Sequence, residues 1–318
     1  MKKTETNTEK KSRQEIISEL TDGLEESIKG FMEGEKYKNF LTKMSQFHNY
    51  SLNNQLLIAI QRPDATLCAS YTGWKKQERQ VKKGEKGIKI ICPAPYKKQA
   101  LQDKKDPQTG KPVLMADGSP RQEIVEVIIP AFKVGYTFDV SQTEGKPLPE
   151  ITQNLEGNLT DSQKDLRQAL LEICPVPVSF QPVQGAANGF YRRDTKEIVV
   201  DDSLSETHSL KTLIHEMSHA LLHSTDIPDA PKDSPTREVQ AESIACVVCS
   251  YFGIDTSDYS FGYISGWSSG KDTKELKASL EVIRNTSNVI ITKAEETLTR
   301  MKMPKQEISE TIQKGRSR

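Results

Sequence analysis

Apolar residues recur at helical spacing near both ends of this chain and at strand spacing between them. Ile16, Ile17, Leu20, Leu24, Ile28, Phe31 and Met32 fall mostly three or four apart and predict helix from Ile16 to Leu41. Ser51 to Arg62 repeats the pattern through Leu52, Leu56, Leu57 and Ile60, and Pro63 closes it. Ala69 to Trp74 and Lys86 to Cys92 are short and apolar or alternating, which predicts strands. The polar stretch Lys97 to Gln122 then reads as a long hairpin loop, with strands resuming at Glu123–Pro130 and Phe132–Asp139. From Ser141 to Thr160 the chain turns rich in Gly, Pro and polar residues and predicts a linker.

Beyond the linker, Asp161 to Ile173 is helical in pattern and Val176 to Gln181 a short strand. Gly189–Arg193 and Glu197–Asp201 pair around Asp194-Thr195-Lys196 as a hairpin. Helix follows through His215. Another opens at Ser234-Pro235, with Ser as N-cap and Pro at the first helical position, and ends at Gly253. A charged amphipathic helix from Lys271 to Met301 finishes the fold. The expected fold class is α+β in two domains: a tail at 1–12, an N-terminal domain at 13–145, a linker at 146–160, a second domain at 161–305 and a basic tail at 306–318.

Composition narrows the setting. With 318 residues, 35% hydrophobic and 28% charged, the chain can bury two cores. Its zero formal net charge restricts nucleic-acid binding to local clusters of cations. No apolar stretch is long enough to span a membrane and no signal peptide is present, so a cytoplasmic, membrane-free protein is expected. Five scattered cysteines suit free thiols in a reducing compartment, and Cys246-Val-Val-Cys249, inside an apolar helical run, reads as core packing.

Four of the five histidines fall between His208 and His223, and His215-Glu216-Met217-Ser218-His219 is an H-E-x-x-H segment. Residues four apart share a helix face, so His215 and His219 can grip one zinc ion, with Glu216 where a zinc hydrolase keeps its general base. On a helical wheel Leu210, Leu213, Ile214, Met217 and Leu221 form one stripe, while His208, Thr212, His215 and His219 lie nearly opposite. His223 has the spacing of a surface residue and is left out of the site. A third ligand in the form of a later histidine fails, because Thr225 stands at that position. Glu238, 19 residues after His219 on the next helix, supplies the alternative, and Glu242 one turn on is a carboxylate able to orient a ligating histidine. Two His and one Glu leave a position for water, which predicts peptide hydrolysis by zinc-activated water with Glu216 as base. Glu197–Asp201 is expected to take the peptide, a protein substrate of unknown identity, by strand addition. Tyr191, Tyr251, Tyr259 and Tyr263 are equal candidates for an oxyanion donor.

This half resembles the Glu-zincin metallopeptidases of the ImmA/IrrE-like and polyvalent-protein group. The resemblance rests on His215-Glu216-Met-Ser-His219 and Glu238-Val-Gln-Ala-Glu242 and covers roughly Asp161 to Ile254.

In the first half, positive charge gathers beside aromatics in Tyr71-Thr-Gly-Trp74-Lys75-Lys76 and onward through Arg79, Lys82, Lys83 and Lys86. Cations tracking phosphates and rings stacking on bases are what single-stranded nucleic acid needs. Tyr50, Asn53, Asn54, Gln55 and Arg62 add polar groups for phosphate or base edges. The segments Tyr50-Ser-Leu-Asn53-Asn54-Gln55, Gln61-Arg62-Pro63-Asp-Ala65-Thr66, Gly73-Trp74-Lys75, Val81-Lys-Lys-Gly84-Glu-Lys86-Gly87 and Phe138-Asp139-Val-Ser-Gln142-Thr143 resemble the N-terminal domain of ArdC-type antirestriction proteins. The resemblance implies single-stranded DNA as partner and carriage on a conjugative or other mobile element. Two other readings stay open: a DNA-binding protein with a purely structural zinc domain, and an ImmA-like peptidase that cleaves a transcriptional repressor.

Overall fold

The structure is a computed structural model that describes residues 12–148 and 159–302. Most of the expected N-terminal tail, the linker from 149 to 158 and the expected basic tail lie outside the described residues. The first predicted helix is three helices: α1 (Arg13–Thr21), α2 (Leu24–Phe31) and α3 (Gly34–Gln46). Ser12 and Glu15 form a capping box at the start of α1. Gly23, at φ +83°, turns the chain into α2 through the left-handed region. Apolar spacing survives such a break, so periodicity alone does not reveal it. Next comes α4 (Leu52–Gln61), capped by Ser51.

The β-rich part begins with β1 (Cys68–Ala69) and departs at once from the expected strand through Trp74. Ser70 accepts the Gly73 amide at 3.1 Å and caps a short helix, α5 (Tyr71–Lys76), that carries Trp74 into the interior. There follow β2 (Arg79–Val81), β3 (Ile88–Pro93), β4 (Tyr96–Asp103), β5 (Gln122–Ile129), β6 (Phe132–Asp139) and β7 (Thr143–Gly145). Strand β6 lies between β1 and β3 and is antiparallel to both. Strands β4 and β5 pair with each other from Tyr96↔Ile129 to Asp103↔Gln122, so the insertion expected as loop is ordered strand for its first seven residues. Strand β7 pairs with β2 in a two-stranded sheet, so Thr143–Gly145 is strand although it lies in the stretch from Ser141 whose composition reads as linker.

The second half contains α6 (Leu159–Ile173), β8 (Val178–Phe180), β9 (Gly189–Arg192), β10 (Glu197–Val200), α7 (Glu206–Leu222), α8 (Ser234–Tyr251), α9 (Ile264–Ser269) and α10 (Thr273–Lys302). The cap of α8 is Asp233, which accepts the Thr236 amide at 2.8 Å, one residue before the expected Ser234. The sheet order is β8-β10-β9, with β10 parallel to β8 and antiparallel to β9. Cys246 and Cys249 are fully buried in α8 and burial pushes both thiols up to about 12, as inert core residues require.

Burial divides the molecule differently from the sequence. One core joins Leu24, Ile28, Tyr37, Phe40 and Leu41 of α2 and α3 to Leu213, Met217, Ile244, Val247, Leu280 and Ile291 of the second half. The Tyr37 hydroxyl meets Ser243 Oγ at 2.8 Å inside it. At its margins Lys38 donates to the Ser257 and Tyr259 carbonyls, and Arg284 of α10 donates to the Tyr50 carbonyl. The β-rich part has a smaller core of its own around Phe47, Ile58, Ala65, Cys68, Ile88 and Ile90.

Candidate metal centre and basic surface

Helix α7 buries Leu210, Leu213, Ile214 and Met217, and this turns His215 and His219 toward α8. The two Nε2 atoms stand 3.1 Å apart, and Glu238 Oε2 lies 3.4 Å from the first and 3.5 Å from the second. Ligands about 2.0–2.1 Å from a tetrahedral zinc ion sit about 3.3 Å from one another. The triangle His215–His219–Glu238 therefore has the size of one face of such a site, and its donors, two imidazoles and a carboxylate, are zinc's preferred kind. Hydrogen bonding to the His215 side chain is the leading cause that holds the Glu238 carboxyl well below the usual range. Burial works against the charged form of His215, but Glu238 and the neighbouring carboxylates outweigh it and raise its pKa.

Glu216 points into the cleft beside this triangle, and burial pushes its carboxyl up, as a proton acceptor working near neutral pH requires. The cleft, of about 370 Å³, runs along α7 from His215 and Glu216 past Thr212 to His208 and Lys211. Lys211, itself buried, donates to Asp258 at 2.5 Å at the far end.

Three expectations about this site change. Strand β10 cannot receive a peptide, because β8 and β9 occupy both of its edges. Of the two edge strands, β8 and β9, it is β9 that borders the cleft, through Gly189. Asp201 N–H donates to the Asn188 carbonyl, so the alternation of an antiparallel ladder turns the backbone groups of Gly189 and Tyr191 outward. A Cβ on Gly189 would lie 2.7 Å from Thr212 Cγ2, so glycine is what lets β9 approach α7 this closely. Glu242, expected to orient a histidine, lines the cleft but accepts its hydrogen bond from the Tyr263 hydroxyl. His223, expected on the surface, is 2% exposed, and its Nδ1 lies 2.9 Å from His219 Nδ1. The signal for it was present as a third histidine at a further interval of four, but a wheel does not show what a helix's C-terminal turn packs against. Among the four tyrosines, Tyr251 reaches Glu295 and Tyr191 reaches Ser224, while Tyr259 lines the cleft and Tyr263 meets Glu242.

The expected nucleic-acid residues separate into two sets. Trp74 is fully buried with its indole N–H donating to the Phe138 carbonyl at 2.8 Å, so it cannot stack on a base. Asn54 clamps Ile91 with both amide atoms, at 2.8 and 2.9 Å, and Gln55 donates to the Phe47 and Tyr50 carbonyls. Both are buried, and Tyr50 and Asn53 are half-buried, Tyr50 donating to the Cys68 carbonyl. Arg79 is bound to Thr143 and Lys146, and Arg62 to Ser141. Lys82 is exposed and donates to the Ser141 carbonyl. Lys75, Lys76, Lys83 and Lys86 stand on the surface, with Lys75 over the Tyr71 ring. Beside them β6 exposes Tyr136, which faces Lys89 across the β3–β6 ladder. Gly87 lies against Tyr136 and Phe138, where an added Cβ would come within 3.0 Å of each. The basic loop is thereby held against an aromatic face that the run of cations alone does not reveal.

A histidine pair and a glutamate on adjoining helices, with a buried glutamate beside them and a separate β-rich domain bearing a basic loop, define the class. The chain joins an ArdC-type N-terminal domain to an IrrE-like domain of a peptidase family. Residues 6–138 match the N-terminal domain of anti-restriction factor ArdC, and residues 173–288 match the IrrE N-terminal-like domain. The chain is 31% identical over 275 residues to an uncharacterized protein of Bacillus anthracis, covering 78% of this chain and 46% of that one. It is 27% identical over 199 residues to the DNA primase TraC of Escherichia coli, covering 59% and 18%. It thus spans less than half the length of these curated relatives. Crystal structures of the antirestriction ArdC protein from the R388 plasmid, metal-free and Mn(II)-bound, align over 79% and 78% of this chain and 86% and 85% of theirs. Their sequence identities are 18% and 17%, and their TM-scores 0.43 and 0.42. No described helix is long and apolar enough to cross a membrane.

Proposed function

We propose that this protein is a zinc-dependent peptidase tethered to single-stranded DNA, acting in the cytoplasm in the service of a mobile, conjugative element. The observation that carries the peptidase reading is the His215–His219–Glu238 triangle with the buried Glu216 beside it in one cleft. A zinc ion bound by these three side chains supplies Lewis acidity toward a carbonyl and lowers the pKa of water. Glu216 takes the proton of the attacking water at a carboxylate oxygen and delivers it to the leaving nitrogen. The outward amide and carbonyl of Gly189 and the carbonyl of Tyr191 align an extended peptide along the edge of β9, while the Tyr191 amide is bonded to the Glu216 carboxylate. Tyr263 spends its single hydroxyl proton on Glu242, so it serves as donor to the carbonyl oxygen only when that bond is released.

For DNA, Lys75, Lys76, Lys83 and Lys86 track phosphates while Tyr136 and Tyr71 offer rings to bases. The ArdC-type domain and this pairing of exposed cations with exposed rings support that half of the reading. Zinc content and peptide hydrolysis measured side by side on wild type and Glu216→Gln test the enzyme. The variant should keep its zinc and lose about 10²–10⁴-fold in rate, whereas undiminished biological activity in it would leave the zinc domain a structural one. Affinity for a labelled oligonucleotide should fall steeply as salt rises.

A further inference from the structure

His223 takes no direct part in the triangle, yet it lies in an unbroken hydrogen-bonded file behind it. His219 Nδ1 is 2.9 Å from His223 Nδ1, His223 Nε2 is 3.0 Å from Gln240 Oε1, and Gln240 Nε2 donates to Ser279 Oγ at 3.2 Å. The file leaves α7, crosses α8 and ends on α10, and His223, Gln240 and Ser279 are all buried. Each bond in such a file has a direction, and the members must agree. An amide oxygen only accepts, so Gln240 Oε1 requires His223 Nε2 to carry a proton. A neutral imidazole carries one proton, so His223 Nδ1 is then a lone pair. His219 Nδ1 must donate to it, and His219 Nε2 is left bare, facing His215 and Glu238.

We propose that His223 is a positioning residue for the metal centre: together with Gln240 and Ser279 it fixes His219 in the tautomer whose Nε2 lone pair faces a zinc ion. This rests on reading His215, His219 and Glu238 as ligands and extends it inward by three residues, His223, Gln240 and Ser279, that are not ligands themselves. The opposite polarity, with Ser279 donating to a turned Gln240 amide, would put a proton on His219 Nε2 and block ligation. The polarity of the file is therefore the content of the proposal.

Nitrogen chemical shifts of histidine side chains in the metal-free full-length protein read that polarity directly. The expected result is His219 protonated at Nδ1 and His223 at Nε2. Protonation of His219 at Nε2 overturns the proposal. Zinc affinity, measured by competition with a chromophoric chelator, gives the second reading. His223→Phe keeps the ring volume and removes the acceptor, and zinc should bind about 10–100-fold more weakly. His223→Asn restores an acceptor oxygen near the Nδ1 position and should recover most of the loss. Wild-type affinity in His223→Phe counts against the proposal, as does a His223→Asn protein no better than the Phe variant. If His223→Phe does not fold, Gln240→Met cuts the file one step further out with both histidines in place, and an unaltered zinc affinity there is equally fatal. A wild-type protein that binds no zinc would instead sink the ligand reading itself.

Discussion

The metal centre and the basic surface were both nominated by short polar motifs, and the structure treats the two motifs in opposite ways. On α7 and α8 the motif residues converge on one point with their ligating atoms toward one another. In the first domain most of the motif residues turn inward and hold the fold. Asn54 staples α4 to β3, Trp74 pins α5 to β6, and Asp139 accepts amides from Thr66, Leu67 and Ser141. The difference lies in what the contacts can be replaced by. A backbone amide at a strand edge needs a buried partner of fixed length, and an Asn or Asp meets that need as specifically as a ligand meets a metal. A conspicuous polar motif is therefore as good a sign of backbone satisfaction as of binding.

That contrast can be broken in stages. Glu238→Ala removes a vertex of the triangle and should weaken zinc binding by roughly 100-fold or more, beyond what the loss of a supporting residue costs. The check is metal content after dialysis, and stoichiometric zinc in the variant would end the ligand assignment. Trp74→Ala should cost about 3–5 kcal/mol of stability, while the protein still folded at low temperature binds oligonucleotides as wild type does. A selective loss of DNA affinity with unchanged melting would reverse the division between the two sets. Tyr136→Ala should lower affinity for a single strand by about 1–3 kcal/mol and leave melting nearly unchanged, and Tyr136→Phe should restore it. Asp139 gives the smallest effect and the one with a pH signature. Burial opposes its charge, but the hydrogen bonds from Ser141, Thr66 and Leu67 prevail and its pKa falls below the ordinary 3.8. Its stabilising contribution is complete above that value and is lost as pH falls through the depressed one. Asp139→Asn should flatten the acid limb of the stability curve below about pH 4, and an acid limb of unchanged slope would assign acid lability elsewhere.

Much of this was legible in the sequence where the signal was local. Four of the five helices of the second half (all but the short α9), the β9–β10 hairpin and the three candidate ligands follow from periodicity and spacing. What escaped depended on contacts between segments distant in the chain. Glycine at 23 interrupts a pattern that apolar spacing alone carries straight through. The burial of Trp74 depends on β6, more than sixty residues away. His223 gains meaning only from Gln240 and Ser279, which no helical wheel contains. That β10 has no open edge follows from strand order, and alternation along a single strand does not encode that order.

The core shared by α2, α3, α8 and α10 bears on the order in which the chain takes shape. Tyr37 and its partner Ser243 are 206 positions apart. During synthesis the apolar faces of Ile28, Phe40 and Leu41 emerge long before Ile244, Val247 and Ile291 exist to cover them. The β-rich segment between them can condense on its own small core while the helices on either side wait. Such long-range closure is slow and leaves greasy surface open in the meantime. Until Ile244, Val247 and Ile291 are made, the apolar faces of α2 and α3 have no partner in the core they will share.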